Sequence, residues 1–592
     1  MYFDFLVKIP ENTGRITENK RGDTTYIEYT YSRNYDPVKK YNIPKRTTIG
    51  KQSKSDPSMM QPNQNFQKFF PEVELPEEKA GSHRSCCLRA GAYIVLKRII
   101  ESYKLPEMLG EYFNSKDVGL LLDLATYSII CENNAAQYYP DYAYNHPLLT
   151  EGMRIYSDSK VSAFLASVTD DQTVGFLNSW NETRDHREKI YISYDSTNKS
   201  CQAGDIEMAE IGRKSEVTGL PMFNYAIAYD TNNREPLFYE EYPGSIADIS
   251  QLQFMLGKAK GYGYRKIGFI LDRGYFCQDN IRFMDSNGYD FVIMVKGMAK
   301  FVNQLVIDKK DTFESKRDCS IREYQVYGTT VKQKLYASDE KERYFHIFHS
   351  ITKEAAERGQ VEAKIEKMTK FLKKHEGQKV EFGDAYRHYF ELFTHKEGEG
   401  DEVFMFAREK ASVIERELDL CGYFVIVTSH KMTAKDAINL YKSRDESEKL
   451  FRGDKSYLGN KSLRVHSQES ASAKIFIEFI ALIVRCKFYT MLKSAMAEMP
   501  NKPNYMTVPA ALKELEKIEM VRLLDKVYRL DHAVTATQKN ILGAFGLDAG
   551  YIRGITDKIS EQLILAGGTK EMEDHSDDVY EDEEEDEDDF DL

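Results

Sequence analysis

Residues 265–275 read RKIGFILDRGY, and residues 189–198 read KIYISYDSTN. The first is a short apolar run closed by Asp272 and a Gly-containing turn, the pattern of a buried strand. The second alternates apolar and polar residues, the pattern of a half-buried strand. Between and after them come MFNYAIAYDT (222–231) and EPLFYEEYPG (235–244), two further strand-like runs. SIADISQLQFMLGKAK (245–260) reads as a helix, QDNIRFMDSNGY (278–289) as a helix closed by Gly288, and DFVIMVKG (290–297) as a strand. The succession β-β-β-α-β-α-β predicts an α/β fold with a mixed sheet flanked by helices.

Two carboxylates fall where these strands run out, Asp195 in YDST and Asp272 in LDRG. A buried strand ending in Asp holds a carboxylate rigidly at a sheet edge, although a lone Asp there also suits a turn. A third lies on TAKDAINLYKSRDESEKLF (433–451), predicted to be one helix with Thr433 and Asp436 in a capping-box arrangement. At about 100° per residue, Tyr441, Arg444 and Glu448 share one face, and Lys455 returns to it if the helix continues past Gly453. The same pattern also describes a solvated face with Arg444 and Glu448 paired at i,i+4.

The rest of the chain divides by pattern. Residues 1–80 are expected to be a small β-rich module and linker, basic from Arg33 to Lys54, where seven Lys or Arg face one acid. Residues 84–185 carry apolar residues at helical spacing and are expected to form a helical domain, whose function the pattern alone does not give. The sheet and its helices take 189–299 and 421–485. Residues 300–420 interrupt them as a mostly β insertion, and 486–566 are helical. The last segment, 571–592, holds 15 Asp or Glu and no Lys or Arg. It accounts for the formal net charge of −13, since the other residues hold 79 acids against 81 bases. No window reaches the roughly 18–20 apolar residues of a membrane span. The eight cysteines are scattered without a CxxC, which fits a reduced cytoplasm.

Tyr441-x2-Arg444-x3-Glu448-x6-Lys455 resembles the Y-(2)-R-(3)-E-(6)-K signature of bacterial insertion-sequence DDE transposases, the IS-four-like superfamily. Asp195 and Asp272 resemble that family's first and second aspartates. The resemblance implies a ribonuclease H-like catalytic core interrupted by an insertion, here within the 176 residues from Asp272 to Glu448. It also implies that Asp195, Asp272 and Glu448 are catalytic and hold two Mg2+, with Mn2+ as an alternative. These hard cations suit clustered carboxylates. Tyr441, Arg444 and Lys455 are then expected to contact DNA phosphates, with Lys296 also meeting DNA.

The implied partners are double-stranded DNA, as terminal inverted repeats and target, with the helical 84–185 as the DNA-binding domain, and a second copy of the chain; the implied location is the bacterial nucleoid. The insertion of such enzymes can stack on a flipped base through Trp. The only Trp here, Trp180, precedes the first aspartate, so Tyr324, Tyr327 or Phe345 would have to serve. Two other readings share parts of this pattern: a transposase-derived DNA-binding protein without cleavage, and a ribonuclease H-like nuclease. If the acidic tail competes with DNA for basic surface, deleting 571–592 raises non-specific DNA affinity, most strongly at low salt. Unchanged affinity at low salt leaves a tail that only solubilises.

Overall fold

The computed structural model describes residues 6–11, 14–22, 24–36, 40–54, 56–70, 73, 84–184, 189–201, 206, 208–211, 221–246, 248–296, 298–396, 402–445, 462–463, 465, 467–499, 503–522 and 527–569. The acidic segment 571–592, Glu448 and Lys455 lie outside them. The chain divides into two compact units, Met1–Cys86 with Leu563–Leu592, and Cys87–Gln562.

In the first unit, five antiparallel strands are ordered Val7–Lys8, Met59–Pro62, Tyr41–Gln52, Thr24–Asp36, Ile16–Arg21. Strand alternation puts Ile27 and Tyr29 on one face, where they meet Ile49, Met60, Phe66 and Phe70 in a small core. The Asn63 side chain caps the short Gln64–Phe69 helix by accepting from the Asn65 and Phe66 N–H groups.

The second unit is built on a ten-stranded mixed sheet. Its strands in chain order are β1 (Ile190–Cys201), β2 (Met222–Asp230), β3 (Glu235–Pro243), β4 (Ile267–Leu271), β5 (Asp290–Met294), β6 (Ser320–Ile321), β7 (Val326–Lys334), β8 (Glu342–His349), β9 (Tyr423–Thr428) and β10 (Ser462–Leu463). Across the sheet they lie β6-β7-β8-β9-β5-β4-β1-β2-β3, with β10 beside the far end of β1. β1, β4 and β5 run parallel to one another, and β2 and β3 fold back antiparallel. The mixed α/β class expected from the sequence is the one observed. β4 is buried at every residue, as befits a central strand covered on both faces.

The helices around this sheet include Gly91–Ser102, Ser115–Cys131, Asp158–Ser167 and Asp170–Glu182. The Ser115–Cys131 helix is buried nearly all round, the mark of an internal helix. A 31-residue helix, Gln468–Glu498, packs on Ser115–Cys131, on Asp158–Ser167 and on β3. Lys199 of β1 pairs with Glu478 of this helix, both side chains buried.

Three boundaries differ from the sequence reading. The long helix runs unbroken through 485, where the core was expected to end. The C-terminal region also supplies two strands, Glu519–Arg522 and Tyr528–Leu530, which form a small sheet with Cys87–Arg89. They are too short for a periodic signal. The segment 300–420 is not one body: β7 and β8 are hydrogen-bonded into the main sheet through β9, and residues 351–419 stand outside it. Those residues form the helices Ile351–Lys374, Asp384–Tyr389 and Ala411–Asp419 and the hairpin Phe390–Lys396 with Glu402–Glu409. They enclose their own core of Ile365, Met368, Leu372, Phe382, Tyr389, Phe390 and Phe404. The chain leaves and re-enters the sheet at one point, where the Ser350 N–H donates to the Gly422 carbonyl at 3.1 Å. Gly422 is left-handed (φ +86°), and a Cβ there would lie 2.7 Å from the Glu354 Cβ, so glycine suits both the turn and the approach.

Candidate active site

Strand register places two of the three carboxylate-bearing positions. β1 and β4 pair in parallel from Ile190↔Ile267 to Tyr194↔Leu271. One residue further, the backbone of Asp195 is level with that of Asp272, on strands about 4.8 Å apart. Asp195 is not at the end of its strand, as expected, but midway along it. β4 stops at Leu271, while β1 continues beside β2 from Asp195↔Ile227 to Ser200↔Met222. The polar run STNKS looks like a turn in sequence and is held extended by buried β2. The side chain of Asp195 lies outside the described residues.

Asp272 follows β4 directly and opens a single helical turn, Arg273–Tyr275, with the Tyr275 N–H donating to its carbonyl at 3.0 Å. Its carboxylate is 39% exposed and accepts a hydrogen bond from the Arg444 guanidinium at 2.5 Å. Burial pushes this carboxyl up. The hydrogen bond and charge of Arg444, followed by the backbone N–H and charge of Arg273, outweigh that and hold it below the usual carboxylate range. Asp272 is thereby kept ionised, partly open to solvent and already facing a cation.

The helix expected over 433–451 is described as Ala434–Lys442, capped by the Thr433 side chain, which accepts from the Asp436 N–H at 3.1 Å. A turn at Ser443 interrupts it, and helix resumes at 444–445. Its inner face packs Ala434, Ile438 and Tyr441 against Ile426 and Phe348. Tyr441 is therefore a buried ring, with the Arg444 guanidinium 5.1 Å from its centroid. Arg444 meets Asp272 across the sheet, a pairing 172 residues apart that periodicity does not reveal. Glu448 and Lys455 lie outside the described residues. Lys296 is exposed; the register Leu271↔Ile293 puts it two residues beyond the level of Asp272, at the same sheet edge. Arg273, exposed beside Asp272, was passed over in the sequence; its only signal was adjacency. Of the proposed stacking residues, Phe345 is wholly buried against Phe301 and is not available to a base. Its strand was read as part of an exposed insertion and is instead central.

Clustered oxygen donors suit hard divalent cations. Two such positions are level here and one carboxylate is held ionised, which fits that chemistry. Among the described residues no group of three His, Cys, Asp or Glu could hold a metal ion. No helix among them is long and apolar enough to cross a membrane.

Aspartates thus stand level on adjacent parallel strands of a mixed sheet, one of them gripped by arginine. Residues 195–484, beginning at Asp195 itself, match the family described as Transposase DDE domain, and the match supports a DDE transposase. No curated protein matches the chain. Two solved structures are reported for comparison. One is the piggyBac transposase synaptic complex with hairpin DNA: 6% identity, 80% of this chain and 82% of that chain, TM-score 0.33. The other is the Mos1 transposase paired-end complex with left transposon end: 10% identity, 38% of this chain and 64% of that chain, TM-score 0.13.

Proposed function

We propose that the protein is a DNA transposase that cleaves the ends of an insertion sequence and joins them to target DNA, by a cut-and-paste route. The single observation that carries this reading is the level placement of Asp195 and Asp272 in a region that matches a transposase DDE domain. The strand order β3-β2-β1-β4-β5, with three antiparallel strands followed by two parallel ones, supports a ribonuclease H-like core, with 351–419 as the segment inserted before the Arg444 helix.

In this reading Asp195, Asp272 and Glu448 would hold two Mg2+ ions, which would supply activation of the attacking oxygen and charge neutralisation at the leaving one. Asp272 enters the reaction already ionised because of Arg444. Arg444, bonded to Asp272 and itself 12% exposed, and the exposed Arg273 would donate to phosphates beside the scissile bond. Lys455 and Lys296 add charge along the same strand of DNA, and Tyr441 sets the guanidinium of Arg444 from below. The active form is a dimer with one DNA end per site.

The test is cleavage of a supercoiled plasmid carrying the DNA that flanks the gene on both sides, with Mg2+. Wild type is expected to cut at those ends, and Glu448→Gln and wild type with chelator are not. A Glu448→Gln protein that cuts as well as wild type would falsify the carboxylate assignment. A wild type that binds these ends and never cuts them favours a transposase-derived binding protein.

A further inference from the structure

The hairpin of the first unit is longer than the sheet that supports it. Ile16–Arg21 pairs with Thr24–Asp36 only over 24–29, and Met59–Pro62 pairs with Tyr41–Gln52 only over 50–52. Beyond Thr30 and Arg46 the two strands pair only with each other among the described residues, from Thr30↔Arg46 to Asp36↔Tyr41. At about 3.3 Å per residue this is a ribbon roughly 20 Å long. The core of the unit ends at its base, with Ile27, Tyr29 and Ile49.

The surface of the ribbon is unusual for a solvated hairpin. Tyr35 is 62% exposed and Tyr41 55%; Ile43 shares the face of Tyr41, and Tyr35, opposite Asn42, lies on the other. Arg33, Lys40, Lys45 and Arg46 are exposed along the same stretch. Arg33 is tied back to the Gly14 carbonyl at 2.9 Å, and Tyr31 stacks on Phe69, so these two brace the base of the ribbon. The outer half is left with Tyr35, Tyr41 and Lys40, while Lys45 and Arg46 lie at the base, opposite Ser32 and Thr30. Seven Lys or Arg against one acid between Arg33 and Lys54 make the whole stretch cationic.

We propose that this ribbon is a DNA-docking arm that lies in a groove of duplex DNA, with Lys45 and Arg46 on phosphates at its base and Tyr35 and Tyr41, on its opposite faces, against the two groove walls. The major groove of B-form DNA, about 12 Å wide, admits a two-stranded ribbon. The cationic flanks complement the phosphates that border it. The choice of duplex DNA as occupant rests on the transposase reading above. An anionic membrane or a second copy pairing along the open strand edges would use the same surface, and both are outcomes of the test.

The full chain is titrated against a labelled duplex of about 30 base pairs from the flanking DNA, at several salt concentrations. The Lys45→Glu/Arg46→Glu protein is expected to bind about tenfold or more weakly, with a salt dependence flatter by about two charges. Tyr35→Ala/Tyr41→Ala is expected to lose affinity with the salt dependence unchanged. The milder pair Lys45→Gln/Arg46→Gln covers the case in which charge reversal disturbs folding, and all variants are compared by Tm. Wild-type duplex affinity in every folded variant overturns the proposal. So does loss confined to phosphatidylserine vesicles, or loss confined to self-association. A wild type that binds through the ribbon and never cuts refutes the transposase and keeps the arm; cutting with ribbon-independent binding does the reverse.

Discussion

Asp272→Asn is expected to reduce cleavage of the flanking DNA ends at least about a thousandfold, equivalent to about 4 kcal/mol of barrier. Asparagine keeps the shape of the side chain and one oxygen for Arg444 but removes the charge that a divalent cation requires. Arg444→Ala tests the same site from the other side. Without the guanidinium, the burial that raises the Asp272 carboxyl acts with less opposition. The acidic limb of the cleavage–pH profile is then expected to move to higher pH. An unmoved limb would show that another group sets it. The pair also links to stability. A carboxyl depressed in the folded protein contributes stability that is present above its unfolded pKa and fades as pH falls through the folded value. With Asp272 39% exposed, solvent screens much of that contribution.

Lys199→Met is expected to lower stability by about 3–5 kcal/mol, because it removes one member of a buried ion pair and leaves the other charge in the interior. Lys199 is fully buried and Glu478 is 3% exposed, and the Lys199 ammonium lies 4.8 Å from the centre of the Tyr225 ring. The contrast is Lys199→Met/Glu478→Met, in which both charges give way to apolar chains of similar length. That protein is expected to recover most of the loss, as buried pairs replaced together often do. Thermal unfolding followed by calorimetry reads both. A single variant with wild-type Tm would mean that Glu478 is neutralised at little cost. Lys199 lies four residues beyond Asp195 on the same strand, so the pair also anchors the strand that carries Asp195 to the Gln468–Glu498 helix.

What could be read in the sequence follows physical range. Five consecutive apolar residues before Asp272 announce a buried strand and a carboxylate at its end, and both are there. Thr433 and Asp436 announce a helix start, which is also there. Asp195 was legible as a residue but not as a mid-strand position. The polar residues after it are extended only because β2 lies beside them, and pairing partners do not show in local pattern. The same limit hid β7 and β8, whose place in the main sheet depends on Tyr423–Thr428, far along the chain. It also hid the meeting of Arg444 with Asp272. Arg444 looked like the partner of its helical neighbour Glu448, four residues away.

The meeting of Ser350 and Gly422 has a consequence for how such a protein can change over generations. β8 and β9 are antiparallel neighbours from His349↔Tyr423 onward, so residues 350–422 enter the sheet as the loop of a hairpin, with Lys353 and Glu354 reaching back to Tyr423 and His349. What fills that loop is a cassette. Doubling its length costs only about 0.6 kcal/mol in chain entropy, and its hydrophobic core is its own. Lineages are thus free to enlarge, exchange or shrink the cassette while the register that brings Asp195 level with Asp272 stays untouched.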